Sequence, residues 1–113
     1  KGNIKSASLQ NLSGEFLQPT TDAGAITLNE IQLDKNLAGI NPNPKAKGAY
    51  PIATLTWILA YENGNGRNTD AIQKSLNYML SDKAQLKAPS LGFVPLKGDI
   101  LLKSLSAIIR ISE

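Results

Sequence analysis

The chain has 113 residues, 42% hydrophobic and 19% charged, enough apolar content for a core and too much for a disordered segment. That length fits one small domain or pieces of two. The net charge of +3 is spread thinly, and its densest basic spot, Lys45 and Lys47, has no aromatic neighbour, which argues against a nucleic-acid reader. There is no cysteine and no histidine, so disulfides, Fe–S clusters and thiol chemistry are excluded, and the commonest general base and metal ligand is missing. The longest apolar stretch, residues 51–61, falls short of the ~18–20 residues that a membrane span needs. The chain opens on Lys1-Gly2-Asn3 with no export signal in view, and it reads as a piece of a longer polypeptide.

Residues 4–9 alternate as a strand, Ser13-Gly14 signals a turn, and Glu15-Phe16-Leu17 reads as the return strand of a hairpin. Pro19-Thr20-Thr21-Asp22 is a helix entry, and a short helix is predicted over 22–30, followed by irregular chain. Residues 40–48, with two prolines (Pro42, Pro44), two asparagines (Asn41, Asn43) and a closing Gly48, make the clearest linker. Beyond it, residues 50–61 are the best strand candidate. Their far half, Trp57-Ile58-Leu59-Ala60-Tyr61, is apolar on both faces, as in a central strand of a covered sheet, and Trp57 is assigned to the core.

Residues 63–68 form a glycine-rich surface loop. Asn68 or Thr69 then caps a helix over 70–80, with Ile72, Leu76 and Leu80 on one stripe. Ser81-Asp82 opens a second short helix that ends before Pro89, and residues 91–96 are extended. A final helix over 97–111 carries Leu101, Leu102, Leu105, Ile108 and Ile109 on a broad buried face. No internal repeat is evident.

Chemistry-bearing motifs are sparse. Gly64-x-Gly66-x-x-Thr69 sits between a strand candidate and a helix, the setting of a dinucleotide turn. It lacks the third glycine, and the flanking asparagines suit a solvated loop. Without histidine no hydroxyl has an evident base, and Asp22, Glu30 and Asp34 read as solvated surface. An enzyme is not expected, nor a metal or cofactor. Tyr50 and Pro51 follow the linker and would set how the chain enters a new lobe.

Three stretches taken in order resemble the C-terminal part of the PstS-type phosphate-binding proteins. They are Gly48-Ala49-Tyr50-Pro51-Ile52 with Trp57-Ile58-Leu59, then the helix over 70–80, then Leu91-Gly92-Phe93-Val94-Pro95-Leu96. Asn11-Leu12-Ser13-Gly14-Glu15-Phe16 before Gln18-Pro19-Thr20 resembles the hairpin and proline–threonine step upstream. Departures are Lys97, where the family often has proline, Pro89, and the glycine-rich loop at 63–68.

The resemblance implies an α/β chain: part of a type II periplasmic-binding-protein fold, with residues 1–48 from lobe II and its linker and 49–113 from lobe I. Gly48, Ala49, Tyr50, Pro51 and Ile52 would be the hinge or crossover. The parent would be extracytoplasmic or periplasmic, free or lipid-anchored, binding inorganic phosphate for an ABC-transporter permease. In that family hydroxyls, helix N-termini, an Arg and an Asp hold the anion, through helix-end dipoles and charge-assisted hydrogen bonds. Those ligands lie upstream in the family, and no phosphate-binding residue is carried onto this segment. Few contacts are expected between residues 1–40 and 55–113, and the isolated chain is expected to self-associate. Two alternatives stand beside this reading: a receptor for another oxyanion or small solute on the same scaffold, and a stand-alone interaction domain.

Overall fold

The computed structural model describes residues 5–41 and 43–113. Ile4, where the first strand was expected to begin, and Pro42 of the linker lie outside the described residues. The described chain is built of helices and one small two-stranded sheet, a composition compatible with α/β. It divides into two compact units, Lys1–Leu55 and Thr56–Glu113.

In the first unit, β1 (Leu9–Gln10) pairs antiparallel with β2 (Phe16–Leu17), Leu9 opposite Leu17 and Gln10 opposite Phe16. The hairpin expected from Ser13-Gly14 forms, with far shorter strands than the alternation at 4–9 suggested. Thr20 then starts α1 (Thr21–Asn29), its hydroxyl accepting the Ala23 amide at 3.2 Å. That contact satisfies one of the donors that a helix start leaves without an intrahelical acceptor. The helix buries Ala23, Thr27 and Leu28, and Ile31 just beyond it is buried too. After α1 the chain turns on Asp34, whose carboxylate accepts the amides of Asn36 at 2.8 Å and Ala38 at 2.9 Å.

Gly39 then passes close to the chain at Gln32. A Cβ at residue 39 would stand 2.4 Å from the Gln32 carbonyl oxygen, a backbone atom with no rotamer to escape through. Gly39→Ala is therefore expected to cost about 1–3 kcal/mol, the usual range for overpacking. A urea melt measures it, and an unchanged midpoint would show that the backbone yields freely.

The second unit contains α2 (Thr69–Leu80), α3 (Asp82–Gln85) and α4 (Gly98–Ile109), with α2 packed against both of the others. A 3-10 turn, Gly66–Asn68, leads into α2, and Ser81 caps α3 through the Ala84 amide at 3.4 Å. Pro89 lies inside a further 3-10 turn, Ala88–Leu91, after α3 has already ended.

Two expectations are corrected here. Among the described residues, 50–61 form no strand, and Trp57 is 42% exposed rather than in a core. Strand preference depends on neighbours to pack and pair with, and the only described ladder is the β1–β2 hairpin. The second correction concerns α4. Ile100 and Ile108 are buried, with Ile111 just past its end, while Leu102 is 63% and Ile109 79% exposed. At about 100° per residue, positions 102 and 109 fall nearly opposite Ile100. An apolar residue on a helix stays exposed where no element covers that side.

Candidate functional site

Four of the five residues marked as a crossover, Gly48 to Pro51, are held in the first unit by bonds from the hairpin turn, α1 and Asn43. Gly48 has φ +77°, a backbone conformation favouring glycine, and a Cβ there would lie 3.0 Å from the Ile26 Cδ1. Ala49 is fully buried, and its carbonyl accepts the Asn11 side-chain amide at 3.2 Å. Tyr50 is fastened to α1 at both ends of its backbone. Its amide donates to the Ala23 carbonyl at 3.1 Å, and its carbonyl accepts the Thr27 hydroxyl at 2.7 Å. Pro51 is buried, and its carbonyl accepts the Asn43 amide at 3.0 Å. Ile52 is exposed.

Behind this segment stands a polar cluster that the sequence reading did not single out. Asn11 is buried and spans the hairpin turn, its Oδ1 accepting the amides of Ser13 at 3.0 Å and Glu15 at 2.9 Å. Its Nδ2 reaches Glu15 Oε2 at 3.2 Å as well as Ala49. The Ser13 hydroxyl lies 2.8 Å from both Glu15 Oε2 and Asn11 Oδ1. Glu15 Oε2 also accepts the Gly48 amide at 2.7 Å. That amide, then the Ser13 hydroxyl and the Asn11 amide, favour the ionised carboxylate and hold its pKa below the ordinary glutamate value; Lys47 adds to this and desolvation opposes it. The local signal was Asn11-x-Ser13-Gly14, since a short polar side chain before a glycine closes turns on its own backbone.

The glycine-rich loop is a separate feature, within the second unit. Asn65 donates its side-chain amide to the carbonyls of Tyr61 at 2.8 Å and Ser112 at 2.9 Å. Ser112 answers with its backbone amide on the Glu62 carbonyl at 2.8 Å and its hydroxyl on Asn63 Oδ1 at 2.7 Å. Gln73 of α2 secures the same end, reaching the Ile111 carbonyl at 2.8 Å. The loop's asparagines thus bind the chain beyond α4, which is what a structural loop does. Farther along, Gln85 braces the motif after Gly92: its Oε1 accepts the Leu96 amide at 2.7 Å and its Nε2 donates to the Met79 carbonyl at 2.7 Å.

Among the described residues there is no group of three or more Asp or Glu placed to hold a metal ion, and no helix long and apolar enough to cross a membrane. What the described geometry offers is a positioned backbone at 48–51.

No family model matches the chain. It is similar to the phosphate-binding protein PstS of Methanocaldococcus jannaschii, with 27% identity over 120 aligned residues. The alignment takes in 95% of this chain and 31% of that protein, so the chain spans about a third of its relative.

Proposed function

We propose that the chain is the C-terminal part of an extracytoplasmic receptor that binds inorganic phosphate and delivers it to an ABC-transporter permease. The observation that carries this is the similarity to the phosphate-binding protein PstS, which runs over 95% of the chain. The ordered motifs, Gly48-Ala49-Tyr50-Pro51-Ile52 and later Leu91-Gly92-Phe93-Val94-Pro95-Leu96, add support. In this reading the receptor is two-lobed, residues 1–48 belong to one lobe and 49–113 to the other, and 48–52 form the crossover. The two compact units of the chain divide between Leu55 and Thr56, a few residues beyond this proposed crossover.

The role of the segment is to complete the lobes rather than to touch the anion. Replacing the hydration of a multiply charged anion takes several converging N–H and hydroxyl donors with a cation. The glycine-rich loop beside Arg67 has its Asn65 amide committed to Tyr61 and Ser112, and Arg67 is exposed, where charge interactions are screened by salt. The anion ligands therefore belong to the parts of the receptor outside this segment.

Calorimetric titration with phosphate tests the assignment. The chain by itself is expected to bind no tighter than millimolar, about −4 kcal/mol, and the parent receptor far more tightly. Saturable micromolar binding by the chain alone would overturn the placement of the site. A parent that prefers sulfate over phosphate in competition would overturn the choice of anion.

A further inference from the structure

We infer that Glu15 anchors an acid-releasable latch, in which its carboxylate grips the Gly48 amide and fixes the path of residues 48–51 across α1. This inference stands on the first unit alone and does not depend on the phosphate reading.

The geometry leaves the turn little slack. Gly48 takes a left-handed conformation close against Ile26, and its N–H meets Glu15 Oε2 at 2.7 Å. A charged acceptor makes that bond roughly twice as strong as a neutral one. The carboxylate is itself aimed by neutral donors of the hairpin turn, the Asn11 amide at 3.2 Å and the Ser13 hydroxyl at 2.8 Å. The charged group that faces it is Lys47, from the turn it holds. Among the described residues the other fastenings of the segment are neutral: Asn11 and Ala46 on Ala49, Ala23 and Thr27 on Tyr50, Asn43 on Pro51. Glu15 is thus the point at which protonation changes the grip.

The sign follows from the direction of the shift. The folded-state pKa of Glu15 lies below its ordinary value, so the stabilisation is fully present above about pH 4.3. It is lost as the pH falls through the lowered folded value. Across the neutral range the latch is closed.

Solution NMR of the full chain between neutral and acid pH provides the test. The Glu15 side-chain carboxyl carbon and the Gly48 amide proton are expected to titrate with one shared midpoint below the ordinary glutamate range. The amides of α1 should stay protected from exchange at that midpoint. Glu15→Gln should leave the Gly48 amide shift flat with pH. A Gly48 amide that does not move while Glu15 titrates overturns the latch, as does a Glu15 midpoint at or above the ordinary value. So does a titration of Gly48 that survives in Glu15→Gln, or a loss of α1 protection that accompanies the titration. Where Glu15→Gln does not fold, the parent chain decides by itself: a shared midpoint supports the latch and separate midpoints overturn it.

Discussion

Asn11→Ala destabilises the first unit by about 2–3 kcal/mol, the cost expected when buried polar partners lose their bonds. Asn11 is only 5% exposed, and its side chain serves both directions of a turn. Removing it takes the acceptor from the Ser13 and Glu15 amides and the side-chain donor from the Ala49 carbonyl. It also frees the Glu15 carboxylate that grips Gly48, so the hairpin turn and residues 48–50 loosen together. Asn11→Asp separates the shape of the side chain from its hydrogen-bonding. The oxygen replacing Nδ2 would face Glu15 Oε2, now 3.2 Å from that nitrogen, setting two carboxylates against each other. Like charges at one site disfavour ionisation of both. Asn11→Asp is therefore expected to be destabilising at pH 7 and to recover part of the loss in mild acid, whereas Asn11→Ala shows no such recovery. Urea melts at pH 7 and pH 5 measure both; a loss below ~0.5 kcal/mol for Asn11→Ala would remove the network from the account of stability.

Self-association of the isolated chain is the second large effect. Ile58, Leu59 and Tyr61 are 60%, 95% and 82% exposed, in a stretch that makes no described strand. Burying one aliphatic side chain of that size contributes about 1.5–3 kcal/mol. Sedimentation velocity across a concentration series is expected to show dimers or larger species. Leu59→Lys should raise the dissociation constant about tenfold, since ~1.4 kcal/mol is a factor of ten. A monomer at the highest concentration, with Leu59→Lys behaving identically, would defeat the prediction.

The local signals in the sequence were sufficient for the starts of α1 and α3, whereas the cap expected from Asn68 or Thr69 is not made: Asn68 precedes α2 without a side-chain bond to it. Thr20 before α1 and Ser81 before α3 both place hydroxyls on amides three residues on, at 3.2 Å and 3.4 Å. The stripe Ile72, Leu76 and Leu80 lies within α2, and all three side chains are half-buried. The resemblance of the ordered motifs to phosphate-binding proteins was also visible in the sequence, and the similarity to the phosphate-binding protein PstS agrees with it.

The tertiary structure decided everything that needs a distant partner. A helix closes its hydrogen bonds within four residues, so its beginning and its stripe are written locally. A strand closes them against another segment, and residues 50–61 had the composition of a central strand without a ladder to join. For α4 the sequence supplied apolar residues nearly all round, and only tertiary packing left Ile100 and Ile108 buried while Leu102 and Ile109 are exposed. The polar cluster is the sharpest case: Asn11 and Ala49 are 38 residues apart in sequence, Glu15 and Gly48 33. No periodicity links such positions. They meet because α1 and the turns around it return the chain to the hairpin, where a buried amide and a carboxylate find the backbone groups that water no longer satisfies.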